Sequence, residues 1–209
     1  MKKINFIAVI VSLSTLLFIF CGKVPKESNK NTKAAAVKNM ENLDIKIVNK
    51  GDIQAVGITL STSFKEGQSK KDIPPFFHKT LHEGVLDNVP NKLNQNLMCV
   101  FLVKPDSPDL TYAIAKEVSS LENIPDGMMP LKLPAADYAS VEIIKNGHDD
   151  VAPVFKYILE KWTVENGYTP ARQPGFIYYD DRFIPGYIKS GYSDQSIASI
   201  FVPIVKKGQ

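Results

Sequence analysis

Apolar residues recur along this chain in two rhythms. In the segment VAPVFKYILEKW, Val151, Val154, Phe155, Ile158, Leu159 and Trp162 fall at i, i+3, i+4, i+7, i+8 and i+11, which predicts a helix with one apolar face. Asp149 and Asp150 precede it, where carboxylates suit exposed amides and the positive end of the helix dipole, and Pro153 is tolerated in a first turn. IPPFFHKTLHEG, residues 73–84, repeats the pattern more loosely through Phe76, Phe77, Leu81, Val85 and Leu86 and stops by NVPN. NLMCVFLV, LTYAIAKEV, PGFIYYD and SIASIFVPIV are short apolar runs bounded by Pro, Asp, Asn or Gly, and they read as strands. Helices separated by several strands predict an α+β fold.

Sliding the sequence over itself by 78 positions reveals a repeat: Pro75 lies on Pro153, Phe77 on Phe155, Leu81 on Leu159, Cys99 on Ile177 and Phe101 on Tyr179. A strand pair precedes each helix, IKIVNKGDIQAVGITL (45–60) and LKLPAADYASVEII (131–144). The expected architecture is two related units of strand, helix and strands.

The first residues change the setting. Two lysines, an apolar run from Ile4 to Phe20 and then Cys21 form an export signal that resembles a bacterial lipoprotein leader, with Cys21 as the lipidated residue. Phe20 stands where such leaders carry a small residue, and an uncleaved membrane anchor is the alternative. Residues 22–42 are polar and lysine-rich, a flexible tether. The expected organisation is a signal over 1–20, a lipidated cysteine and tether over 21–42, and one domain over 43–207 facing away from the cytoplasm. A 44% hydrophobic, 22% charged composition suits one globular domain. Two of the +3 formal charges can be assigned to Lys2 and Lys3, so the body is close to neutral and carries no nucleic-acid footprint.

Candidate chemistry is sparse. His78 and His82 stand four apart on the first helix, but Lys79 occupies the place of a zinc-protease glutamate and no third ligand is near in sequence, so no metal is expected. NGHDD, residues 146–150, is explained by helix capping. No nucleophile elbow and no glycine-rich phosphate loop occur. Cys99 reads as a small buried hydrophobe. Glu117 is either a solvent-facing acid or a buried charge kept for a ligand.

Taken in order, IPPFF, EGVLDNVPN, EVSSLENIPDGM, LPAADYA, WTVENGY, PGFIYYDDRF and IFVPI resemble the GyrI-like small-molecule-binding domain, the AraC-type effector-binding domain, from about Leu43 to Lys206. The resemblance implies two βαββ repeats with pseudo-twofold symmetry, an antiparallel sheet, two main helices and a ligand cleft between the repeats. It also implies an aromatic cleft around a buried glutamate that receives cationic drugs. Here Ile177 stands in the position of that glutamate. Strand alternation puts Ile177 and Tyr179 on the pocket face, with Phe176 and Tyr178 on the other. The expectation is a cleft for a small hydrophobic or aromatic, uncharged molecule, with Tyr112, Tyr138, Trp162, Ile177, Tyr179 and Phe201 as contacts and Glu117 as a polar anchor, without a cofactor. Its membrane contact is the N-terminal lipid, and nucleic acid is not a partner. Two other classes remain open: a small-molecule hydrolase with Glu117 or Asp180 as the acid, and an envelope interaction module whose cleft is filled by Tyr178, Tyr179 and Phe201.

Overall fold

The computed structural model describes residues 40, 42–104, 106–144, 151–191 and 196–208; the leader, Cys21, nearly all of the tether and the NGHDD stretch lie outside them. Nine antiparallel strands form one sheet: β1 (Lys46–Lys50), β2 (Ile53–Ser63), β3 (Leu97–Val103), β4 (Asp109–Glu117), β5 (Met129–Leu133), β6 (Ala136–Ile144), β7 (Tyr168–Pro170), β8 (Gly175–Tyr179) and β9 (Ile197–Lys206). Helix α1 (Gln68–His82) links β2 to β3. Helix α2 (Val151–Tyr157) runs through a π-helical turn (Ile158–Trp162) into Thr163–Glu165, and α3 (Ile184–Ser190) lies between β8 and β9. The α+β class and the antiparallel sheet are as expected.

The strand order, β1-β6-β9-β8-β3-β4-β2-β5 with β7 attached to β9, is a palindrome of two βαββ units. In each unit the strand after the helix, β3 or β8, lies at the centre and the strand before it, β2 or β6, lies further out. β1 and β5 are exchanged: β1 pairs with β6 of the second unit and β5 with β2 of the first. At the centre Cys99 is directly opposite Ile177, the two residues superposed by the 78-residue shift. The same shift superposes two aromatic contacts between the units, Phe77 on Tyr179 (5.3 Å between centroids) and Phe155 on Phe101 (5.6 Å).

The sheet is strongly curled. β5 is one edge and β6 lies next to the other, yet only Pro134 and Ala135 separate them, a span of at most about 11 Å. Small residues line the inner face, where Ala55 and Gly57 lie opposite Glu117 and Ala115. A Cβ on Gly57 would stand 2.1 Å from the Ile114 carbonyl oxygen, so only glycine permits this approach of β2 to β4.

Alternation divides the apolar residues between two cores. The helix-side core joins Phe77, Cys99, Tyr112, Ile114, Val154, Ile158, Ile177, Tyr179 and Ile200. The inner core joins Met98, Val100, Ala113, Ala115, Leu131, Leu133, Tyr138, Phe176 and Phe201. α2 turns the expected stripe inward, with Val151, Val154 and Ile158 buried and Phe155, Leu159 and Trp162 half-buried. α1 begins five residues before the predicted start and holds Pro74 and Pro75 inside it. Those prolines withhold two helical N–H groups on the early turns, where Lys71 and Pro75 are exposed and water can serve the freed carbonyls.

Candidate functional site

The helix-side cleft lies over the central strands. β3 and β8 supply its floor, Cys99 and Phe101 beside Ile177 and Tyr179, because alternate residues on each strand face α1 and α2. Phe77 on α1 and Phe155 on α2 form equivalent walls. Gly175 makes room for the second wall: a Cβ there would meet Phe155 Cε1 at 2.8 Å.

The two halves are filled differently. In the first, Tyr112 on β4 lies opposite Phe101 in the ladder, its ring 5.3 Å from that of Phe101 and 6.4 Å from that of Phe76. In the second, the ladder of β8 with β9 pairs Ile177 with Ile200 and ends at Tyr178 and Ser199, and rings from α3 and its N-cap residue enter the space. Phe183 packs on Tyr179 at 4.4 Å, Tyr187 packs on Phe77 at 5.4 Å, and the two stack on each other at 5.2 Å and 17°. Ile177 is 2% exposed and Cys99 is fully buried. Among the described residues no carboxylate is buried; the buried polar side chains are Ser69, Thr80, Lys116, Thr163 and Ser196. Two open concavities, about 390 and 400 Å³, lie elsewhere, beside β2 and α1 at Ser61, Asp72 and Lys104, and over β1, β6 and β9 at Lys50, Ser140 and Phe201.

The sheet separates the seven residues proposed from the sequence. Tyr112, Ile177 and Tyr179 meet in the helix-side core. Trp162 stands at the far end of α2, stacked on Tyr168 at 5.9 Å and 15°. Tyr138 and Phe201 belong to the inner core, with Tyr178 packed against it. Glu117 meets that group, accepting the Tyr178 hydroxyl proton in a hydrogen bond. Burial first, and then Glu117, push the Tyr178 phenol far above its usual range. Nearby, the Lys50 ammonium lies 5.0 Å from the Phe201 ring centre and 5.8 Å from that of Tyr178. The Tyr138 hydroxyl is buried without a hydrogen-bond partner among the described residues, and burial raises its pKa.

The other acid suggested for catalysis, Asp180, is engaged at the surface. Arg182 donates to both Asp180 oxygens, with Nη2 2.7 Å from Oδ2, and reaches Glu142 on β6 through Nη2 at 2.6 Å and Nη1 at 3.1 Å. Hydrogen bonds from this guanidinium hold both carboxyls below their usual range. His78 and His82 stack at 4.0 Å on the exposed side of α1, and among the described residues no three metal-ligating side chains converge. Lys116 has no sequence context that singles it out; it is buried, donates to the Gln95 carbonyl at 2.6 Å, and burial lowers its pKa. Sequence reading also misses α3. Its signals are Phe183 and Tyr187 four apart, Pro185 near the start and Gly191 at the end.

The model of the family described as Cass2, integron-associated effector binding protein, matches residues 46–204. Solved structures share the fold, three of them as follows. SAV2435 bound to tetraphenylphosphonium superposes with a TM-score of 0.61 at 17% identity, covering 78% of this chain and 94% of its own. A putative transcription regulation protein from Staphylococcus aureus MU50 gives 0.58 at 18% identity, covering 78% and 99%. The EcmrR C-terminal domain gives 0.53 at 16% identity, covering 79% and 99%. No curated protein matches the chain.

Proposed function

The chain belongs to the Cass2 family of integron-associated effector-binding proteins, and on that premise we propose that it is a membrane-tethered, extracytoplasmic receptor for an uncharged, apolar or aromatic small molecule. Its GyrI-like domain is the binding part. The observation that carries the proposal is Ile177, buried in the helix-side core and paired with Cys99 among aromatic and aliphatic side chains and no buried carboxylate. A lipophilic cation placed there loses its hydration and meets no carboxylate, a cost that aromatic faces offset only in part. A neutral aromatic molecule gains the same burial without that cost. The tether reading rests on the leader, Cys21 and the polar segment that follows.

The test is a melting series with matched ligands. Neutral naphthalene or biphenyl compounds are expected to raise the melting temperature in proportion to occupancy, and tetraphenylphosphonium is expected to leave it unchanged. Stabilisation by the cation alone would overturn the ligand class. Metabolic labelling with palmitate tests the tether: label lost in Cys21→Ser supports it, and an unlabelled protein in the cytosolic fraction refutes it.

A further inference from the structure

We propose that α3 is a plug, and that Phe183 and Tyr187 occupy the site of the ligand, a neutral molecule with two aromatic rings. This deepens the reading above and rests on it. Most of the other aromatic groups in the cleft are on elements built to stay. Phe101, Tyr112 and Tyr179 are on ladder-bonded strands, and Phe77 and Phe155 are on helices that run from Gln68 to His82 and from Val151 through to Glu165. α3 has seven residues. A helix of that length does not hold itself together in water and depends on the surface it buries. Gly186 within it lowers the cost of undoing it further.

The two halves of the cleft show why this one can open. In the first half the space beside Phe101 is taken by Tyr112, a residue of the sheet itself. In the second half β9 carries the small residues Ser199 and Ala198 at and just beyond the end of its ladder with β8, and Phe183 and Tyr187 pack in from outside the sheet. The connection between β3 and β4 is residues 104–108, whereas that between β8 and β9 carries a helix. Unwinding α3 and drawing it away would uncover a slot alongside the contacting pair Phe77 and Tyr179. The rings that fill it now define what fits: two aromatic planes 5.2 Å apart and nearly parallel, one tilted on Tyr179 and one edge-on to Phe77. His82, on the exposed side of α1 with its ring 6.4 Å from that of Tyr187, stands at the mouth, so a polar substituent of the ligand would face it.

The plug makes apparent affinity depend on the stability of α3, including at positions that touch no ligand. Gly186→Ala is such a position, since a Cβ there meets nothing within 4 Å. It strengthens the helix and is expected to weaken binding by about fivefold. Lys189→Gly, at an exposed position, weakens the helix and is expected to tighten binding by about the same factor relative to Lys189→Ala, which cancels the lost charge. The assay is a fluorescence titration of the full chain with the neutral dye N-phenyl-1-naphthylamine. Opposite shifts in the two variants support the plug. Equal affinity in wild type, Gly186→Ala and Lys189→Gly overturns it while leaving the ligand reading standing. No dye binding by any of the proteins overturns both.

Discussion

Replacing Ile177 by glutamate restores the acid that relatives of this fold are expected to carry, and it measures how dry the centre of the cleft is. Ile177 is 2% exposed, so the change removes about 2 kcal/mol of side-chain burial and leaves a carboxyl without a designed partner for about 1 kcal/mol more. In such surroundings a carboxyl pKa rises, and a rise of about 3 units corresponds to about 4 kcal/mol once the unfolded chain is fully ionised. The sign follows from the raised value. The penalty is absent well below the unfolded carboxyl pKa of about 4.3, grows as pH rises, and is complete above the folded pKa near 7. Between pH 5, where about 1 kcal/mol is already present, and pH 8 the variant should lose a further 3 kcal/mol or so relative to wild type. For a domain of this size that is a difference of about 6–12 °C in melting temperature. The assay is paired melting of both proteins at the two pH values, followed by tetraphenylphosphonium at pH 8, which is expected to rescue the variant and not the wild type. A deficit that is the same at both pH values would mean that the introduced carboxyl ionises freely, and a water-filled cleft would then replace the dry aromatic one.

Gly57→Ala should cost at least about 3 kcal/mol, or roughly 6–12 °C, because its Cβ meets the backbone of β4 rather than a movable side chain; a melting temperature within 2 °C or so of wild type would show that the sheet does not need this close approach. Arg182→Gln should raise the carboxyl titrations of Asp180 and Glu142 toward pH 4, read by carbon NMR. Since both folded pKa values are depressed, the guanidinium's contribution is present above about pH 4 and lost as pH falls through the folded values, and at this exposed site it is within about 1 kcal/mol; unchanged titrations would show that Arg182 does not hold the two carboxylates. Tyr178→Phe strips the half-buried Glu117 of its phenol donor and should cost about 1–3 kcal/mol in urea unfolding. It should also reduce the loss of stability that begins above about pH 10 in wild type, where the unfolded chain ionises phenols that the fold keeps neutral, with buried Tyr138 accounting for the part that remains; an alkaline loss of unchanged size in the variant would assign it to groups other than Tyr178.

Local pattern alone decides much of this molecule. The stripe from Val151 to Trp162 and the alternation that sends Ile177 and Tyr179 one way and Phe176 and Tyr178 the other are set by backbone periodicity and hold in the structure, and Cys99 and Ile177, which correspond in the sequence, lie directly opposite each other. What escapes depends on groups distant in sequence. Tyr138 and Phe201 group with Tyr179 in the sequence because all are aromatic strand residues, yet which side of a sheet faces the helices is set by pairing register and curl, and these put them on the inner face. Glu117 reads locally as an anchor for a ligand, and Tyr178, 61 residues away, is its partner because β3 brings β4 and β8 within one strand of each other. The plug is the least legible part. Seven residues around a glycine and a proline carry a weak helical signal, and the force that folds them is burial of Tyr187 and the N-cap ring of Phe183 in a space that exists only once Phe77 and Tyr179 have been brought together.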